Sequence, residues 1–145
     1  MVKKTKQIEI KKLVITSGTR KRSVARAVVR QGSGIVRINS KPIELFPTFQ
    51  RLTLKEPIMI AEEILKDKVN EINIDVTVKG SGAESQIDAA RLAIARALLE
   101  YTKSPELKNA FLKYDRALLV ADTRRKEVRK PNDSKARAKR QKSYR

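Results

Sequence analysis

Ile72, Ile74, Val76 and Val78 alternate with Asn73, Asp75, Thr77 and Lys79, and no other stretch restricts the fold as much. A period of two puts the four apolar side chains on one face and the polar ones on the other, the pattern of a strand with one wet side. Lys79-Gly80-Ser81-Gly82 ends the alternation. From Glu84 to Tyr101 the period changes: Ile87, Ala90, Ile94, Leu98 and Tyr101 recur every three or four residues, as on one face of a helix. Glu84–Asp88–Arg91 and Arg96–Glu100 are spaced to pair along that helix's surface. The glycine loop between strand and helix has two readings. It is a tight turn, or an anion site where free amides and the helix dipole meet a phosphate. It lacks the Walker spacing and the Gly-Lys-Ser/Thr ending, so nucleotide hydrolysis has no support.

Upstream, Ile8 to Thr16 is a strand candidate, and Gly18-Thr19-Arg20-Lys21-Arg22 breaks it with three cations in a loop. Val24–Arg30 and Ile35–Asn39 are extended runs on either side of Gln31-Gly32-Ser33-Gly34, a hairpin signal. Arg26 and Arg30 share one face of the first run. Ser40–Thr53 is a connection with one helical turn at Ile43–Phe46, and Pro57 opens a helix striped by Ile58, Ala61, Ile64 and Leu65. Ser104-Pro105-Glu106 starts another, with Leu107, Ala110, Phe111 and Tyr114 on one side. Leu118-Leu119-Val120 is the last apolar contact.

Beyond it the composition changes. Thr123 to Arg145 holds eleven Lys and Arg against Glu127 and Asp133, a net +9 and half of the chain's formal +18. Val128, Ala136, Ala138 and Tyr144 are its only apolar side chains, too few to offset the entropy of ordering it. Residues 1–122 therefore read as a globular RNA-binding domain and residues 123–145 as an extended basic tail. Fully stretched, the tail reaches about 70 Å at roughly 3.3 Å per residue, twice the ~35 Å width of such a domain. A charge run kept for solubility has no need of so many arginine forks, which suit phosphate. Nucleic acid is the expected partner, with counterion release driving the binding.

Several classes are excluded. With no Cys there is no thiolate metal site, and with no His the commonest general base is missing. Asp67, Asp75, Asp88, Asp115 and Asp122 are dispersed, and Glu62-Glu63 reads as a wet helix face, so no residue is assigned as catalytic or metal-binding. No cofactor and no small-molecule substrate are expected. The longest unbroken apolar run, Ala117 to Ala121, cannot span a bilayer, so a cytoplasmic protein without membrane contact is expected.

Gly18-Thr19-Arg20-Lys21-Arg22-Ser23-Val24-Ala25-Arg26 resembles the opening signature of the ribosomal protein S-nine family, from the head of the small subunit. Gly32 to Asn39 follows at that family's spacing. Gly80 through Gln86 with Ala90-Arg91 to Leu98 is similar to its second signature, and Asp122-Arg124-Arg125-Lys126-Glu127-Arg129-Lys130 to its third. The likeness covers nearly the whole chain, and the closing Gln141-Lys142-Ser143-Tyr144-Arg145 looks archaeal or eukaryotic. Ser81 departs from the glycine of many bacterial members. A free-standing DNA-binding protein accounts for the charge but not for these ordered signatures.

The resemblance implies an α+β fold: a four-stranded sheet with helices on one face, like domain 2 of ribosomal protein S-five, with a left-handed β-α-β crossover against the usual rule. It implies a structural constituent of the small-subunit head, contacting small-subunit ribosomal RNA and neighbouring ribosomal proteins. Arg20, Lys21, Arg22, Arg26, Gly80, Ser81 and Gly82 would hold that RNA, as would Arg124, Arg125, Lys126, Arg129, Lys130, Lys135, Arg137, Lys139, Arg140 and Lys142. Ser143, Tyr144 and Arg145 would touch the anticodon stem-loop of the peptidyl-site tRNA.

Overall fold

The alternating stretch is a strand, and it lies in the middle of a five-stranded mixed sheet. The computed structural model describes residues 13–132, 135–139, 141 and 143. In chain order the strands are β1 (Val14–Arg20), β2 (Ser23–Gln31), β3 (Val36–Ile38) and β4 (Lys41–Pro42), followed by α1 (Thr48–Leu65), β5 (Ile72–Lys79), α2 (Ala83–Thr102) and α3 (Pro105–Tyr114). Short 3-10 turns occupy Ile43–Leu45, Lys66–Val69 and Arg116–Leu118. The sheet order is β1-β2-β5-β3-β4, with β3 and β5 parallel and every other pairing antiparallel. The chain from β3 through α1 to β5 is thus the parallel crossover.

Two expectations about the sheet need correction. The count is five strands, not four, because Lys41 and Pro42 pair with Ile38 and Arg37. The hairpin expected across Gln31–Gly34 does not form, because β5 lies between β2 and β3. Asn73 holds that connection instead: its Oδ1 accepts from the Ser33 amide at 2.8 Å and the Ile35 amide at 2.9 Å. All four apolar residues of β5 are buried, so a central place suits it better than an edge. The hairpin signal reads only neighbours in sequence, and long-range pairing overrides it.

One face of the sheet is buried and the other is wet. In β2, Ala25, Ala27 and Val29 are buried while Val24, Arg26 and Arg30 are exposed. The helices take the buried face: α2 lies across β1, β2 and β5, and α1 and α3 pack on α2. Beyond the expected Ile87, Ala90, Ile94 and Leu98, α2 also buries Ala89, Leu92, Ala93, Ala95 and Ala97. It is the middle layer, not a surface helix. The charge pairs expected along it are therefore replaced by contacts to other elements. Arg91 pairs with Glu56 at 2.6 Å and Asp115 at 3.0 Å, and Arg96 donates to the carbonyls of Ser17 at 2.8 Å and Leu119 at 3.0 Å.

Helix α1 begins at Thr48, nine residues before Pro57, which is inside it rather than at its start. Proline there removes one backbone hydrogen bond. Its ring is buried with Leu54 and Ala61, so it serves as part of the apolar stripe at spacings of three and four. At α3 the expected cap is present, with Ser104 Oγ accepting from the Leu107 amide at 3.4 Å.

Strand β1 corrects a further expectation. Gly18 does not break it; the strand runs on to Arg20, while residues 8–12 of the expected strand lie outside the described residues. A Cβ at Gly18 would meet the Ala89 carbonyl oxygen at 2.3 Å and the Ala93 nitrogen at 2.7 Å. The glycine lets the backbone of α2 lie directly on the strand. Thr16 Oγ1 reinforces the contact by donating to the Ala93 carbonyl at 3.1 Å. We predict that Gly18→Ala destabilises the protein by about 2–3 kcal/mol, since backbone cannot move aside as a side chain can. A urea unfolding curve measures it, with a lower midpoint and an unchanged slope expected.

Candidate nucleic-acid interface

Three segments distant in sequence converge at one end of the sheet. The first is the two-residue turn Lys21-Arg22 between the paired Arg20 and Ser23, with Lys21 at φ 52°. The second is Gly80-Ser81-Gly82, between β5 and α2. Gly80 has φ 91°, and a Cβ on it would lie 2.4 Å from the Arg22 carbonyl oxygen. Its own carbonyl accepts from Ser23 Oγ at 2.9 Å and Gln86 Nε2 at 3.0 Å. Gly80 therefore has a packing role: it lets one loop lie under the other. Ser81 keeps a left-handed backbone, φ 50°, although it carries a side chain. At Gly82 a Cβ would meet nothing within 4 Å.

The third segment is the start of the basic tail. Asp122 forms a parallel bridge with Arg20, and the chain then runs to Lys130 without helix or strand. Together the three segments line an open groove of about 990 Å³. Arg20, Lys21, Arg22, Arg124, Arg125, Lys126 and Arg129 supply its cations, and among the described residues Asp122 and Glu127 are its only acids. So many like charges repel one another, and a chain of phosphates relieves that repulsion.

The groove thus brings together Arg20, Lys21, Arg22, Ser81, Arg124, Arg125, Lys126 and Arg129 from the residues expected to hold RNA, and leaves others out. Arg26 is exposed on β2 between Ser17 and Thr77, on the wet face of the sheet, and does not line the groove. Lys130, Lys135, Arg137, Lys139 and Ser143 are exposed and do not line it, although Arg137 pairs with the groove's Glu127. Arg140, Lys142, Tyr144 and Arg145 lie outside the described residues. The tail is also not one straight thread where it is described. Pro131 and Asn132 form a turn, and Arg137 pairs with Glu127 at 2.5 Å across it. That contact lowers the Glu127 pKa and raises that of Arg137. Both side chains are well exposed, so the pair contributes little and a polyanion can open it.

Two acids that a search for cations does not find, Asp122 and Asp88, contact Arg20 at the groove. Arg20 Nη1 donates to Asp122 Oδ2, and Arg20 Nε lies 3.4 Å from Asp88 Oδ2. Asp122 Oδ1 also accepts from the Arg124 amide at 2.9 Å, and the Arg124 guanidinium binds both of its oxygens at 2.7–3.1 Å. The available sequence signal for Asp122 is position, an acid two residues before the Arg124-Arg125-Lys126 run, and Asp88 has no such signal. Among the described residues no group of acids could hold a metal ion, and no helix is long and apolar enough to cross a membrane.

A model described as ribosomal protein S9/S16 matches residues 18–145. The chain belongs to this ribosomal protein family. Proteins of Methanococcus maripaludis (strain C5) and Methanococcus vannielii, both called small ribosomal subunit protein uS9, are each 50% identical to it over 137 residues. The match covers 92% of this chain and 99% of each relative. Membership makes the chain a structural ribosomal component and not an enzyme. The archaeal relatives agree with the archaeal side of the archaeal or eukaryotic look of its closing residues.

Asp122 yields a pH prediction. The Arg124 side chain, then the Arg124 amide and the Arg20 side chain, hold its carboxyl well below the usual range. A depressed folded pKa stabilises above the unfolded value, about 3.9, and that contribution is lost as pH falls through the folded value. The contact should therefore survive the range in which ordinary carboxylates titrate. A carboxyl-carbon NMR titration checks it: the Asp122 resonance should stay fixed between pH 5 and about 3.

Proposed function

We propose that this protein is a structural constituent of the small-subunit head in the cytoplasmic ribosome, binding small-subunit ribosomal RNA through its groove. The observation that carries this reading is the meeting of Lys21-Arg22, Ser81 and Arg124–Arg129 around one open cleft. The three family signatures fall on those three segments, so the family's RNA role and the local electrostatics coincide. Neighbouring ribosomal proteins complete its surroundings. The left-handed sense of the β3–α1–β5 crossover belongs to the same reading.

In this reading residues 1–122 form the domain and residues 123–145 an arm that straightens on RNA. Its phosphate contacts pass from Arg124, Arg125, Lys126, Arg129 and Lys130 to Lys135, Arg137, Lys139, Arg140 and Lys142. Ser143, Tyr144 and Arg145 then reach the anticodon stem-loop of the peptidyl-site tRNA. An arginine fork on phosphate and a tyrosine on a base or sugar read shape rather than sequence, which suits a site that accepts every tRNA. Arg26, on the other face of the sheet, makes a separate RNA contact.

Two measurements test the reading. Lys21→Gln with Arg22→Gln should weaken binding to a head-domain RNA fragment, and the salt dependence of log K should fall by about two, one per lost phosphate contact. An unchanged slope removes the groove from the RNA surface. Deleting residues 143–145 should leave subunit incorporation intact and speed tRNA loss from the peptidyl site. Equal tRNA retention by truncated and intact subunits rejects the role of the tail's end.

A further inference from the structure

We propose that Arg20 and Asp122 form an internal clasp that sets the direction in which the basic tail leaves the domain, with Arg20 a positioning residue rather than a ligand for RNA. This rests in part on the reading of the groove as an RNA surface. The residue falls in the cationic loop signature, and charge alone counts it with its neighbours. Its contacts separate it from them. The guanidinium lies between two carboxylates, donating to Asp122 on one side and lying 3.4 Å from Asp88 on the other. Its side chain is only 29% exposed. By contrast Lys21, Arg22, Arg125, Lys126 and Arg129 have no carboxylate partner among the described residues.

Asp122 faces both ways. One oxygen accepts from Arg20, in the body of the domain, and both accept from Arg124, the second residue of the tail. The backbone bridge between Arg20 and Asp122 aligns the same two points. These contacts join residues 102 positions apart in sequence. They also work against the local field, because Lys21-Arg22 and Arg124–Lys126 are cationic segments that repel one another. With the clasp closed, both segments border one groove and a single run of phosphates can touch both. With it open, the tail's first cations swing away, and binding must supply the ordering itself.

The clasp makes a prediction opposite to that of net charge. Asp122→Asn raises the net charge by one, which alone tightens RNA binding. The clasp predicts weaker binding to a head-domain RNA fragment, by about tenfold through lost preorganisation, with the salt slope unchanged. Arg20→Gln should behave the same way, whereas Lys21→Gln should reduce the slope by about one. In the full-length protein without RNA, the Arg124 amide should exchange its hydrogen faster in both clasp variants. The exchange Arg20→Asp with Asp122→Arg should restore part of the protection and part of the affinity. Tighter binding by Asp122→Asn, or a slope lowered by one in Arg20→Gln, overturns the proposal. If the wild-type protein does not bind the RNA fragment, the groove reading fails, and amide exchange alone decides the clasp: unaltered exchange at Arg124 in both variants rejects it.

Discussion

How closely α2 can approach the sheet decides the rest of this architecture. Gly18 on the strand and Ala89 and Ala93 on the helix remove the side chains that would hold the two backbones apart. A helix that close to one layer has its other sides free to carry a second, and α1 and α3 occupy them. The result is a helix buried nearly all round, whose long polar side chains find partners on the neighbouring elements. Arg91 does so at Glu56 and Asp115, and Arg96 at the carbonyls of Ser17 and Leu119. These contacts tie the end of α3 and the chain after it back to β1. The tail therefore departs beside the Lys21-Arg22 turn from a chain held to β1 by the polar contacts of this buried helix.

The groove itself is an electrostatic compromise. Cations from the two ends of the chain are brought together without enough acid to neutralise them, which costs stability in the isolated protein. Two features limit that cost. The cations are mostly exposed, where water screens them, and Asp122 and Asp88 are placed where the two segments come closest. A carboxylate in a groove proposed to hold phosphates looks like a flaw when charge is summed. It has a clear use when geometry is considered, because it holds cations in place without occupying the positions that phosphates would take.

Some of this was legible from residue order alone. The alternation of β5, the stripe of α2 and the Ser104-Pro105 start of α3 are local patterns, and each element forms where its pattern puts it. The misreadings share one cause. Gly18 as a breaker, Pro57 as a helix start and Gln31–Gly34 as a hairpin turn are sound inferences about an isolated segment. In each case the tertiary setting changes the outcome, through a partner from elsewhere in the chain or, for Pro57, through burial on the apolar stripe of its own helix. The Ala89–Ala93 backbone makes glycine useful inside a strand, neighbours Leu54 and Ala61 give Pro57 a buried place, and Asn73 draws the Gln31–Gly34 connection onto β5. At the candidate site the cations were legible as a set, but not the division between paired and unpaired ones. That division depends on acids 68 and 102 positions away, at Asp88 and Asp122, which composition cannot connect to Arg20.

The same division changes what charge means in this protein. Of the seven cations lining the groove, Arg20 and Arg124 already hold a carboxylate, which leaves five without one among the described residues. Arg124 is exposed and can turn part of its fork toward a phosphate while its amide stays on Asp122. Arg20, enclosed by two acids, would have to break both contacts to do so, and would then leave Asp122 facing the anion it had been shielded from. In the proposed clasp the enclosed arginine serves RNA binding as a fixed point rather than as one more contact. In the proposed clasp, loss of a surface lysine forfeits one phosphate contact, whereas loss of Asp122 misplaces several cations at once.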